Sequence, residues 1–239
     1  MKPADHIAAL RRDTARIANA VQHRLDRAVP SCPGWQVADL VWHVSIVHMF
    51  WRMVASNAIA GPDTWSEPHR RHGDDLVPWF CEGAELTATV LESLAPNATA
   101  WTWGRRNTVD FIQRRVAQET AVHCWDALNA MGCNEPVEQA LAVDGVDEFL
   151  DEVLPGLCQD LGGLVQTICL RANDSGDNWT IRVEDGSSHL TRACVRADAT
   201  VTATASDLLL LLWGRCSPDQ VQVDGDLAAL QRFLTRANF

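Results

Sequence analysis

This chain of 239 residues has no tyrosine and is short of positive charge. It sets 20 basic residues against 31 acidic ones, for a formal net charge of -11 at pH 7. A phosphate backbone is bound through a basic stripe, so the shortage excludes a general nucleic-acid binder. Long apolar runs are also missing. The most apolar stretch, LLLLLW at 208–213, is far shorter than the roughly 20 residues that span a bilayer. The N-terminal MKPADHIAALRRD meets charge within its first turns and carries no apolar signal-peptide core. A cytoplasmic protein with no membrane partner is therefore expected. The eight cysteines, at 32, 81, 124, 133, 158, 169, 194 and 216, form no CxxC pair and no regular spacing. That excludes a Cys-rich zinc module and argues against a disulfide scaffold. In a chain this apolar they read as reduced, mostly buried thiols. There is no internal repeat and no low-complexity segment.

What is present is a soluble, core-forming composition, 47% hydrophobic and 21% charged. Residues 4–28 place Ile7, Leu10, Ile17, Val21 and Leu25 at helical spacing. PSCPGW at 30–35 reads as a turn, and a second helix is expected over 37–58. Further helices are expected over 75–94 and 108–131, the last stopping near Gly132. After a connector at 133–143 comes a helix at 144–154. Strand-like runs follow at 164–172, 179–185, 189–197 and 200–205, with hairpin chemistry in NDSGDN and EDGSS. A helix at 206–215 opens on a Ser-Asp cap, VQVDG forms a short strand, and a last helix runs over 226–236. The fold class is α+β: a four-helix bundle over 1–135, then a smaller α/β domain over 142–239 with a mainly antiparallel sheet.

RRVAQETAVHCWDA, residues 114–127, carries the chemistry. Ile112, Val116, Glu119, His123 and Ala127 share one helical stripe, and Leu40, His43, Val47, Trp51 and Val54 make another on the second helix. Each interior stripe thus holds polar groups at mid-length. A buried carboxylate without a partner costs several kcal/mol on an order-of-magnitude scale, so Glu119 must find a cation or a strong donor. A divalent metal held by two imidazoles and a carboxylate satisfies His43, Glu119 and His123 together. It also leaves a coordination position open, as in catalytic rather than structural zinc sites. The alternative is a simple hydrogen-bonded Glu119–His123 pair with His43 as a satisfied core histidine. His48 lies about 140° around the helix from His43, a place for a supporting residue or one at the pocket mouth. Cys124 is turned about 100° from His123 and reads as a buried thiol rather than a ligand. Most of the ten tryptophans read as packing, with Trp101 and Trp103 placed to wall a pocket.

VPSCPGWQVADLVWHV (29–44), QETAVHCWDA (118–127) and ASDLLLLLWGR (205–215) together resemble the mycothiol-dependent maleylpyruvate isomerase family of actinobacteria. The resemblance covers nearly the whole chain in motif order, and a single lysine against nineteen arginines suits a high-GC source. It implies a DinB-like N-terminal helical domain whose zinc, or another divalent metal, is held by His43, Glu119 and His123. It also implies mycothiol as a low-molecular-weight thiol cosubstrate, and an acidic electrophilic small molecule as substrate. A functional arginine falls on Arg215 of LLWGRCS; by position alone, Arg215 is equally a cation favouring a helix C-terminus. The implied reaction is cis-trans isomerisation or thiol S-transfer. The competing classes are a non-catalytic binding or resistance protein and a zinc-binding, anti-sigma-like regulator. Gln36, where the family often has Ser or Thr after the tryptophan, changes the capping of the second helix.

Overall fold

The computed structural model describes residues 1–237 apart from 158–162, 164 and 185. Cys158, and the expected strand ends at Leu164 and Asp185, lie outside the described residues. The chain divides into two compact units, Met1–Glu135 and Pro136–Phe239.

The first unit is built on four long helices, α1 (Pro3–Val21), α2 (Val37–Ala55), α3 (Leu76–Ser93) and α4 (Val109–Ala130). They pack in a cycle, α1 on α4 and α3, α2 on α3 and α4. α1 and α2 are shorter than periodicity suggests. α2 ends where Asn57 adopts a left-handed conformation at φ 56°, a conformation that asparagine tolerates at helix ends. α4 stops as expected: Gly132, at φ 81°, lets Cys133 N–H reach Leu128 O at 3.0 Å and Gly132 N–H reach Asn129 O at 2.9 Å. This is the glycine-dependent closure that satisfies terminal carbonyls.

Two apolar clusters fill the unit. One gathers Ile17, Val21, Leu40, Val44, Phe80 and Leu128. The other gathers Leu10, Trp51, Leu91, Phe111, Ile112 and Val116. Along α4, the stretch between the parts that serve these clusters holds four polar residues, Gln118, Glu119, Thr120 and His123. Nearly every side of α4 is covered, including Gln113, Arg115 and Asp126. A helix covered on all sides yet rich in polar side chains must pair them internally.

The second unit is α+β. α5 (Gln139–Glu148) is capped by the Glu138 carboxylate, which accepts from Ala140 N and Leu141 N, each at 3.0 Å. It runs through a wider π-type turn at Phe149–Val153 into the short α6 (Leu154–Gly156). The strands are β1 (Gln166–Ala172), β2 (Asn178–Glu184), β3 (Ser187–Thr191), β4 (Ala199–Ala203) and β5 (Gln222–Gly225). Their order is β3-β2-β1-β4-β5, antiparallel except for the β1–β4 pair. α7 (Ala205–Leu212) and α8 (Leu227–Arg236) both pack on β1.

Two expectations need correction here. The strand read over 189–197 ends at Thr191, because Ala193 O and Val195 N–H bond to the Thr180 hydroxyl instead of a ladder partner. α7 is capped by Thr204, whose Oγ1 accepts from Asp207 N at 3.1 Å. Ser206 lies inside the helix and its hydroxyl accepts from Val137 N at 2.9 Å. The fold class is nonetheless the one expected, a helical N-terminal part and a C-terminal part with a mostly antiparallel sheet.

Candidate metal centre

Glu119 and His123 lie four residues apart on α4, so helix geometry stacks them on one face. His43 comes from α2, which packs against α4. The structure brings the three together. His43 Nε2 lies 2.9 Å and His123 Nε2 3.3 Å from the same oxygen, Glu119 Oε1, and the three donor atoms all lie within 4.8 Å of one another. The side chains of His43, Glu119 and His123 are 33%, 20% and 9% exposed. The cluster is thus anchored in the core at His123 and reached by solvent at His43.

His123 is oriented from behind. Its Nδ1–H donates to Asp126 Oδ2 at 2.9 Å, which fixes the ring orientation and turns Nε2 toward Glu119 and His43. Asp126 is fully buried. Its other oxygen accepts the Ser31 hydroxyl at 2.6 Å, and the Cys32 thiol approaches Oδ2 at 3.7 Å. Both residues belong to the PSCPGW turn. Backbone bonds from Cys32 N to Val29 O, from Trp35 N to Cys32 O and from Val29 N to Trp35 O, at 3.0, 3.0 and 2.9 Å, close that turn. They place the Trp35 ring 5.1 Å from His43 and 6.3 Å from His123, nearly parallel to the latter. The turn therefore both clamps the supporting carboxylate and walls the site.

Glu119 is held on its second oxygen by Arg115, one turn back on α4, at 3.3 Å. Burial by itself would raise the Glu119 pKa. The hydrogen bonds to His123 and His43, with the charges of His123 and Arg115, hold the carboxyl well below its usual range instead. Burial would lower His123, but Asp126 and Glu119 override it and raise the imidazole to about 9. The cluster is thus a pre-paired set of opposite charges, and a divalent cation can take the place of the protons there.

Does this donor set fit a metal? Two imidazole nitrogens and one carboxylate oxygen converge, one imidazole is backed by a carboxylate, and the outward side is open. These features match a catalytic rather than a closed structural site. A second group, Cys32, His123 and Asp126, also meets the distance requirement. It shares His123, and its carboxylate is already engaged by Ser31 and His123 Nδ1. That is the arrangement of a support behind a ligand.

His48 is not at a pocket mouth. It is 1% exposed, stacks near Phe80 with ring centroids 5.9 Å apart and donates from Nε2 to Thr120 Oγ1 at 2.8 Å. The Thr120 hydroxyl is spent on Val116 O at 2.7 Å, which fixes the direction of that bond. Burial pushes His48 down to about 3, so it is a neutral core histidine beside the site. Cys124 is buried as expected; burial, then the Asp13 charge, push its thiol up to about 12. His6 is also buried, at 5% exposure. Trp101 and Trp103 pack on Trp51 and Phe111, within and beside the second apolar cluster, and it is Trp35 that faces the histidines. Arg215 belongs to the second unit. It lies three residues beyond the end of α7 and its Nη1 donates to Trp213 O, the carbonyl of the helix cap, at 2.8 Å.

Sequence reasoning passed over Arg115, Asp126 and Trp35. The first two had a usable signal, since each lies one helical turn from a candidate ligand. Trp35 had none, because a turn residue's facing is set by how the turn closes.

Comparison with known proteins gives two family-model matches, the mycothiol maleylpyruvate isomerase N-terminal domain over residues 7–128 and the MDMPI C-terminal domain over residues 140–232. Among solved structures, the chain is similar to the crystal structure of the mycothiol-dependent maleylpyruvate isomerase. The TM-score is 0.67 at 13% identity, over 95% of each chain. A histidine-to-alanine mutant of that isomerase matches at TM-score 0.67 and 12% identity, also over 95% of each chain. At such identity the likeness is one of fold. No curated protein matches the chain in sequence.

Proposed function

Because this chain belongs to the mycothiol maleylpyruvate isomerase family, we propose that it is a metal- and thiol-dependent enzyme acting on a small, acidic, electrophilic substrate. The observation that carries the reading is the convergence of His43, Glu119 and His123 on one point, with the His123 ring already oriented by Asp126. These three residues would hold a divalent metal, and zinc suits two imidazoles and a carboxylate. Such a metal supplies an open coordination position and lowers the pKa of a bound thiol, so that a thiolate is available at neutral pH.

The chain's own residues do the rest. Asp126 keeps the His123 Nδ1 proton in place, so that Nε2 is the nitrogen that would give up its proton and face the metal. Arg115 occupies one oxygen of Glu119 and leaves the other to the cluster. Trp35 covers the two imidazoles and limits the approach of water. Arg215 is the residue we assign to the substrate carboxylate, since a guanidinium matches a carboxylate bidentately. Mycothiol is the cosubstrate this family membership suggests. A thiolate that adds to a conjugated cis double bond allows rotation about the resulting single bond, and elimination then returns the thiol with the trans product. Addition without elimination leaves a conjugate, which is S-transfer. The family favours the first outcome. The setting we infer for either is the cytoplasm, where such thiols are kept reduced.

Metal analysis with thiol bookkeeping tests this. Chain purified without chelator should carry one divalent metal, and His43→Ala should lose it. Turnover of a cis-configured unsaturated keto acid should need mycothiol without consuming it. Stoichiometric loss of thiol would make the enzyme an S-transferase. A metal-free preparation, or full metal occupancy in His43→Ala, would overturn the site.

A further inference from the structure

The second unit carries a pair of thiols that the proposed reaction does not use. Cys169 lies in the middle of β1 and is fully buried, while Cys194 is exposed in the segment after β3. The two are brought together by Thr180. Thr180 stands directly opposite Cys169 across the β1–β2 pair, so their side chains share one sheet face. The Thr180 hydroxyl donates to Ala193 O at 2.6 Å and accepts from Val195 N at 3.2 Å. Those two bonds straddle Cys194 and pin its backbone beside the Cys169 position, near enough for the two thiols to influence each other's titration. Arg171, two residues beyond Cys169 and so on the same face, brings Nη2 to 3.3 Å from Cys194 Sγ.

The electrostatics divide the roles. Burial, then the contact with Cys194, push the Cys169 thiol up to about 11. The influence of Cys169, then the hydrogen bond from Arg171, draw Cys194 below its ordinary value. An exposed thiol beside a cation, backed by a buried thiol, is the arrangement of an attacking and a resolving cysteine.

We propose that Cys169 and Cys194 form a redox-active dithiol that exchanges with low-molecular-weight disulfides. The Cys194 thiolate attacks one sulfur of a disulfide RSSR; the Cys194–S bond forms, the S–S bond breaks, and RS⁻ leaves and takes up a proton. Cys169 then gives its proton to water and attacks Cys194 Sγ. The Cys169–Cys194 disulfide forms and the second RS⁻ departs, protonating in turn. The sum is RSSR and two cysteine thiols going to one protein disulfide and two RSH. The protein is oxidised and the small disulfide reduced. This site is independent of the metal reading, since every residue in it belongs to the second unit.

The test uses the full chain and bis(2-hydroxyethyl) disulfide as probe, with peptide mapping under non-reducing conditions. The expected product has a Cys169–Cys194 cross-link. Exposed Cys133, which has no such arginine contact among its described interactions, serves as internal control; Cys194 should react at least about ten-fold faster. In Cys169→Ala, which keeps an apolar side chain in the buried position, Cys194 should accumulate as the mixed disulfide. Arg171→Gln should slow the attack roughly three- to ten-fold at neutral pH. Equal rates at Cys133 and Cys194, or a mixed disulfide on Cys194 that persists in the unsubstituted chain without cross-linking, would overturn the proposal. The mapping of the unsubstituted chain decides the matter even if a variant fails to fold.

Discussion

α4 in the first unit and α7 in the second are both deeply buried helices, and they are held by opposite means. α7 buries Leu208, Leu209, Leu210, Leu211 and Leu212, so its place is set by apolar area removed from water. α4 buries Gln113, Arg115, Gln118, Thr120, His123 and Asp126 alongside its apolar residues. Its place is set as much by pairing, because a buried polar group left unpaired costs more than a paired one returns. An apolar helix can lose a contact and stay neutral. A polar one holds groups poised to exchange one partner for another, and so the candidate chemistry of the first unit sits on α4.

Truncating α7 tests the apolar side of that contrast with the largest expected effect. Leu209→Ala should cost about 2–5 kcal/mol in urea unfolding, as buried leucine truncations do. Metal content of the folded fraction should not change; a loss of metal there would mean that the two helices are not held separately.

His48 tests the polar side through pH. Its folded-state pKa, about 3, lies below its ordinary 6.5, so the folded state resists taking up a proton that the unfolded chain accepts. Stability should be level above pH 6.5 and fall as pH drops from there toward 3. The loss at the acid end should be on the order of 4 kcal/mol. His48→Gln should flatten this limb in urea titrations with metal chelated; an unchanged slope would show that His48 is not the group being charged.

Asp126→Asn probes support behind the ligand rather than the ligand itself. It should weaken metal affinity about 10–100-fold, read by competition with a chromophoric chelator. The fold should survive, with helical content by circular dichroism retained, because Asn keeps the size and still accepts from Ser31. The smallest effect returns to α7, where Thr204→Ala should cost about 1 kcal/mol through the lost N-cap, with no effect on metal affinity.

Much of this protein is legible along the chain because much of it depends on local period. The four helices of the first unit follow from apolar spacing, and the end of α4 from Gly132. Glu119 and His123 are neighbours in any fold that keeps 114–127 helical. The strand after EDGSS is shorter than its residues suggest for a definite reason: HLTRACVRA has the residues of a strand, but the Thr180 hydroxyl captures the backbone on either side of Cys194. A side chain on one strand ended another, and no pattern within 189–197 could show it.

The sequence by itself determined two units of different class, an acidic chain without a long apolar run, and a carboxylate and an imidazole one helical turn apart. Helix and strand periods are properties of the backbone, and they act over a few residues. Only the tertiary structure decided that His43 meets that pair across the interface of α2 and α4, and that Ser31 and Trp35 of the PSCPGW turn reach the same spot. It alone decided that His48 is sealed in the core and that Cys169 lies under Cys194. Those meetings depend on where whole elements pack, which is set by the fit of surfaces far apart in the chain.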